Sequence, residues 1–406
     1  MLQLVAFGRL LNSIAHLLTE SKFMRSARIA AAVFVGLITL AACSGKTKSK
    51  DNVAIPKELT EIVAKNDFER IWATSIKTDD AERGERLTPV AFGERVFVVG
   101  ISEVRALDRS SGKTIWNKKL EARFSGGPAT DGKRVVVGTL DGEVMAFDAT
   151  DGELLWSVEV TSEVLAAPSL GEKIVIICSN DGRVSGLDLT NGKRLWQIDR
   201  DVPLLSLRGT GSAIIDGDTA YIPGDSGKVI AVNLADGVLR WEQAVNVSNG
   251  RNELERVADI DGGAVVANGD LFVAGYNGQT SAVAANSGST LWTYQGPSVV
   301  GLIVDERRVY LTDSESQVIA LDRRSGAEVW KQDALLNRYV TKPIILGDKL
   351  VVCDFEGYLH ALDIETGAMI GRTQLASKAF STAPTVSQDL LIAQSSSGAV
   401  AAYRIR

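Results

Sequence analysis

Short apolar runs broken at regular intervals by glycine-centred turns dominate the chain from about residue 90 onward. Residues 133–148, Lys-Arg-Val-Val-Val-Gly-Thr-Leu-Asp-Gly-Glu-Val-Met-Ala-Phe-Asp, show the unit. Two β-rich runs flank Asp141-Gly142, a dipeptide that favours a tight hairpin turn. A second turn runs from Asp148 to Gly152, where the aspartate can bond backbone amides and glycine supplies positive φ without steric cost. Trp156 then falls on an outer strand, where a flat ring can pack against the next unit. No long segment after the first 43 residues has helical periodicity.

The unit repeats. Ala106-Leu107-Asp108 with Gly112 and Trp116 recurs as Ala146-Phe147-Asp148 with Gly152 and Trp156, then as Gly186-Leu187-Asp188 with Gly192 and Trp196. Ala231-Val232-Asn233 with Gly237 and Trp241 follows, then a degenerate copy with Ala284, Gly288 and Trp292. A further copy has Asp322, Gly326 and Trp330; the seventh has Asp363 and Gly367, with Gly371 in the tryptophan position. From Trp116 to Trp330 the tryptophans step by 40, 40, 45, 51 and 38 residues, and Trp72 joins the same register. Four short strands per period of about 40 residues is the pattern of a β-propeller blade.

The ends supply an eighth unit. Phe380–Arg406 contains three strands and stops before a tryptophan strand, while Phe68-Glu69-Arg70-Ile71-Trp72 is a tryptophan strand without its predecessors. Joining them closes the ring and satisfies edges that would otherwise invite aggregation. The expected fold is all-β: a single eight-bladed β-propeller of four-stranded antiparallel blades, closed by pairing of N- and C-terminal strands. Cys178 and Cys353 lie ten residues before Asp188 and Asp363, in equivalent positions of blades three and seven. They are expected across the ring from each other, as buried free thiols beyond disulfide reach.

The first residues are of another kind. Arg25 and Arg28 precede an apolar run from Ile29 that ends in Leu40-Ala41-Ala42-Cys43, which is secretory-signal grammar. The run is too short for a bilayer core that needs about 20 helical residues. Leu-Ala-Ala-Cys resembles the bacterial lipobox, which implies that Cys43 is lipidated with palmitate-type acyl chains and becomes the first mature residue. Ser44, rather than an aspartate, implies sorting to the outer membrane. The signal reads from Met24, with residues 1–23 as an upstream start or an extended leader. The expected division is a leader over 1–42, a lipidated cysteine and flexible tether over 43–61, and the propeller over 62–406. Residues 1–42 carry four basic side chains and one acidic one, so the remainder is three charges more negative than the −6 of the whole. That acidity argues against nucleic-acid binding.

Composition excludes chemistry more than it reveals any. Hydrophobic residues make up 45% and charged residues 23%, as in a globular domain. Only His16 and His360 are present, and His16 lies in the leader, so neither a histidine triad nor a multi-histidine metal site can be built. His360 sits in a strand-like run of blade seven, where a structural role is expected. No P-loop lysine motif occurs, and most carboxylates fall at repeat turns. No catalytic residue, metal or cofactor is expected.

The repeat resembles that of the quinoprotein dehydrogenases, which bind pyrroloquinoline quinone in an eight-bladed propeller. Those enzymes are longer and commonly carry an adjacent Cys-Cys pair, and no two cysteines are adjacent here. The two longest steps place extra residues in consecutive inter-blade connections, 199–212 and 244–264, which should emerge side by side on one rim. The first holds Pro203-Leu204-Leu205-Ser206-Leu207-Arg208-Gly209 and the second Glu255-Arg256-Val257-Ala258-Asp259-Ile260-Asp261. Exposed leucines beside an arginine, rimmed by carboxylates, suit a protein interface. With the lipobox, the tether and the short array, these segments resemble the family of outer-membrane protein assembly factors called BamB, over about residues 43–406. The resemblance implies a non-enzymatic, lipid-anchored scaffold at the periplasmic face of the outer membrane, docking the POTRA domains of BamA and assisting insertion of nascent outer-membrane proteins. By position it assigns contacts with BamA to Leu205, Leu207, Arg208, Asp259 and Asp261. A quinoprotein-like dehydrogenase and a periplasmic ligand-binding propeller are the alternatives.

Overall fold

Eight four-stranded antiparallel sheets are arranged as successive blades in a computed structural model of the chain. The structure describes residues 54–62, 67–78, 87–200, 211–245, 259–260, 262–276, 278–298, 300–380 and 382–406. Blades 1 to 7 each take four consecutive strands; in blade 1 these are Val90–Phe92, Arg95–Val99, Glu103–Asp108 and Thr114–Lys119, from the axis outward. Blade 8 takes Thr385–Ser387, Leu390–Gln394 and Ala399–Ile405 from the C-terminal end and Phe68–Ser75 from the other. Phe68 pairs with Ile405 and Trp72 with Ala402, so the ring closes as the two incomplete ends of the sequence demanded. The blades belong to the unit Pro56–Arg406.

The repeat motif is a latch between blades. All seven indole nitrogens donate to a carbonyl of the following blade at 2.7–3.3 Å, from Trp72 to Arg109 around to Trp330 to Ile364. The acceptor is the residue after the repeat's Asp position, and the turn it opens ends on the glycine. That glycine lies flat on the same ring: a Cβ added to Gly152 would come within 2.6 Å of Trp116, and its φ of +73° is unfavourable for any other residue. The tryptophan itself packs opposite a small third-strand residue, Ala146 for Trp156 and Gly186 for Trp196. Asp, Gly and Trp therefore recur together because each satisfies or makes room for another across a blade boundary.

This explains the missing tryptophan. Gly371 of blade 7 faces blade 8, where the third and outer strands come from opposite ends of the chain and no Asp-x-x-x-Gly turn joins them. Seven turns receive seven tryptophans, and the eighth boundary has no receiver. Restoring the consensus with Gly371→Trp should lower stability by about 1–3 kcal/mol through overpacking of a buried site. Urea denaturation of both proteins checks the sign.

Cys178 and Cys353 end the second strands of blades 3 and 7, both buried and both free. Burial pushes both thiols up from their ordinary pKa, which keeps them protonated and unreactive.

Candidate functional site

The two long connections leave from one face of the ring. Asp199, at the end of blade 3, pairs with Arg183, and Ala244, at the end of blade 4, pairs with Lys228. Arg183 and Lys228 begin third strands, so the connections share a face with the second-to-third-strand turns, opposite the Asp-x-x-x-Gly turns. The far ends of the connections also meet. Gly211 closes the first and Ile260 lies near the close of the second. A Cβ on Gly211 would stand 2.7 Å from the Ile260 carbonyl oxygen and 2.7 Å from Pro223. Ile260 is itself anchored in a buried cluster with Tyr221 and Val245.

Of the five residues expected at the contact, Leu205, Leu207, Arg208 and Asp261 lie outside the described residues. Asp259 is described, and only 1% of it is exposed, so its carboxylate is turned inward rather than displayed. Its carbonyl accepts the Tyr276 amide at 2.9 Å, tying the connection to the blade 5 turn. The same bond at the same separation joins Leu140 to Arg123, Asn180 to Glu163 and Phe355 to Arg338.

The sequence did not reveal a second constellation, in blade 7. Arg338 Nε donates to Asp354 Oδ2 at 2.8 Å and its Nη2 reaches Glu356. His360 Nε2 lies 3.1 Å from the same Asp354 oxygen, and Arg372 Nε donates to His360 Nδ1 at 3.1 Å. A nitrogen that accepts cannot carry a proton, so His360 is neutral and donates through Nε2. Burial lowers the His360 pKa; the bond to Asp354 opposes this, and Arg372 and Arg338 reinforce it. Burial alone would raise Asp354, but the bonds from His360 and Arg338 win and hold it below the usual carboxylate value. The arrangement is a buried network, and the nearby Cys353 thiol is held protonated by burial and by the Asp354 charge. Nothing in the sequence set this turn apart, since Asp313-Ser314-Glu315 of blade 6 carries the same pair of acids at the equivalent turn.

A histidine with a folded pKa below its unfolded value, about 6.5, binds protons more readily unfolded, so stability falls as pH drops below that value. Asp354 acts in the same direction at lower pH, whereas Asp225 and Asp313, raised by burial, act in the opposite one. Wild-type stability should therefore fall from pH 6.5 to 5 more steeply than that of His360→Gln. Unfolding midpoints measured at both pH values in both proteins test this.

The central channel offers little chemistry. A cavity of about 500 Å³ is lined by residues of the inner strands, such as Ala264 and Thr385, and of the segments that lead into them, such as Ala166, Ser212 and Thr341, with Lys342 the one ionisable side chain among the described lining residues. Among the described residues no group of three or more His, Cys, Asp or Glu could hold a metal ion.

The family model described as outer membrane protein assembly factor BamB matches residues 100–332. The protein of that name from Pseudomonas aeruginosa is 45% identical over 331 residues, covering 81% of this chain and 86% of its own length. The crystal structure of BamB from Moraxella catarrhalis superposes with a TM-score of 0.74 at 27% identity, covering 82% of this chain and 99% of that one. A quinohemoprotein alcohol dehydrogenase from Comamonas testosteroni shares the fold alone, with a TM-score of 0.65 at 14% identity, over 83% of this chain and 76% of its own.

Proposed function

The chain belongs to the family of the outer membrane protein assembly factor BamB, and from that premise we propose that it is a non-enzymatic scaffold of the β-barrel assembly complex. It docks the POTRA domains of BamA through the face that carries the connections 199–212 and 244–264. Cys43 holds it by lipid to the periplasmic face of the outer membrane, and the docked propeller assists delivery and insertion of outer-membrane proteins. The observation that carries this reading is the contact of Gly211 with Ile260, which roots both connections at one place on one face.

The roles divide by chemistry. Leu205 and Leu207 supply apolar area that loses water on docking, while Arg208 and Asp261 set orientation through charge. Asp259 supports the patch from beneath by fixing the second connection to Tyr276. A partner strand can also add to an exposed outer strand by main-chain hydrogen bonds. The channel lining and the absence of an adjacent cysteine pair give the dehydrogenase alternative no support.

Affinity purification of the tagged full-length chain from detergent-solubilised membranes tests the reading. BamA is expected as the main co-purifying protein, in near-stoichiometric amount; a preparation without BamA would overturn it.

A further inference from the structure

Between blades 6 and 7 the chain straps down a piece of itself. The Lys57 amide donates to the Leu336 carbonyl at 2.9 Å, and the Lys57 ammonium pairs with Asp333 at 3.1 Å. Arg338 Nη1 donates to the Lys57 carbonyl at 3.1 Å, and Arg372 Nη1 donates to the Thr60 carbonyl at 3.0 Å. Leu59, between them, packs into the apolar cluster that includes Trp330, Leu362 and Met369.

This strap runs from one face of the ring toward the other. Gln332 pairs with Val318 at the start of a third strand, so the connection that holds Lys57 lies on the face of the two long connections. Phe68 pairs with Ile405 at the end of a third strand, and the Arg406 amide donates to the Asp67 carbonyl at 3.1 Å, so the chain enters blade 8 on the opposite face. With the strap seated, the residues before Lys57 are delivered to the face of the long connections. With it released, the next attachment among the described residues is Asp67, on the other face.

The two arginines that hold the strap converge on one buried pair. Arg338 Nε and His360 Nε2 share Asp354 Oδ2, at 2.8 and 3.1 Å, and Arg372 Nε donates to His360 Nδ1. An imidazole has an acceptor nitrogen only while it is neutral; protonated, both nitrogens donate. A proton on Nδ1 points at the Arg372 N–H and breaks that bond. It also adds a third cation to Arg338 and Arg372, whose two charges are matched by those of Asp354 and Glu356. The other ionisable neighbours do not restore the balance. The Tyr358 ring centroid lies 6.0 Å from that of His360, Cys353 is a buried thiol, and Lys57, Glu58 and Glu61 of the strap and Lys378 before blade 8 are exposed.

His360 is fully buried while the strap is seated, and burial lowers its pKa there. Release of the Thr60 carbonyl frees Arg372 to swing out, which gives the ring water and an ordinary pKa of about 6.5. The open form therefore binds the proton more readily. By linkage the ratio of released to seated strap rises as pH falls below about 6.5, by at most about tenfold per pH unit.

We propose that residues 57–60 are an acid-released strap, sensed by His360, that sets the face of the ring from which the upstream chain departs. What this does for a lipid anchor or for BamA rests on the function proposed above; the release itself does not, and either can fail alone.

Spin labels coupled to azide-bearing residues at positions 58 and 314 test it in the detergent-solubilised full chain. Both positions are exposed, and 314 lies in the blade 6 turn on the face of the long connections. A single narrow distance distribution is expected at pH 7.5. At pH 5 a broad component should appear, and it should vanish on return to pH 7.5. His360→Gln keeps an acceptor for Arg372 and a donor for Asp354 but takes up no proton, so it should stay narrow at both pH values. Arg372→Ala should show the broad component already at pH 7.5, which keeps the test valid if His360→Gln fails to fold. Tryptophan emission should match at the two pH values, because the seven latches take no part. A wild-type distribution that stays narrow at pH 5 would overturn the proposal. So would an acid response retained in His360→Gln, or a narrow distribution in Arg372→Ala at pH 7.5. Broadening that coincides with a change in tryptophan emission would mean unfolding of the ring, and overturns the proposal too.

Discussion

Replacing Leu205, Leu207 and Arg208 together by alanine is expected to remove BamA from the co-purified material while the unfolding midpoint of the chain shifts by less than about 2 °C. Interface energy concentrates in a few desolvated anchors, commonly worth about 2 kcal/mol or more apiece. Losing an arginine and two leucines from one patch costs about 4 kcal/mol or more, near a thousandfold in affinity. That is enough to empty a pull-down at ordinary concentrations. The same three residues belong to a connection rather than a blade strand, so the eight sheets and the tryptophan latches are left intact. Retained BamA would mean that docking lies elsewhere on the ring.

Arg338→Ala should destabilise the propeller by about 3–5 kcal/mol, because it strips the guanidinium from a fully buried carboxylate, Asp354, and leaves that charge with His360 alone among ionisable partners. It also removes the donor to the Lys57 carbonyl, so protease cleavage within residues 56–62 should accelerate in the variant. Urea denaturation gives the first quantity and timed proteolysis the second. Changing Asp354 to asparagine in the same chain should recover part of the loss, since the uncompensated charge is then gone. A loss below about 1 kcal/mol would show that the network is incidental to stability.

The fold was legible because it is written in a periodic code with a physical meaning at each position. Asp108, Gly112 and Trp116 recur at fixed offsets since the aspartate caps its turn, the glycine yields to the preceding ring, and the indole bonds the next carbonyl. Even the exception at Gly371 obeys the code once the ends of the chain are seen to interrupt the turn it would have met. The two free cysteines followed from the same register.

What the sequence did not show depends on contacts between residues far apart in number. Arg372 and Thr60, or Lys57 and Leu336, are hundreds of residues apart, and no period links them. Within the polar run expected to be tether through residue 61, the Lys57 and Thr60 carbonyls accept from Arg338 and Arg372, contacts that no side-chain pattern can announce. Asp259 is similar: it stands among the charged residues Glu255, Arg256 and Asp261, yet its side chain turns inward while its carbonyl serves Tyr276.

Photo-crosslinking at position 207, compared with Ala235, decides most directly which face of the ring docks. Ala235 lies in the Asp-x-x-x-Gly-type turn of the same blade 4, exposed on the opposite face. With a photoreactive residue at each position in turn in the full lipoprotein, a BamA adduct should form from position 207 and none from 235. An adduct from 235 with none from 207 would place the partner on the wrong face and contradict docking through the two long connections.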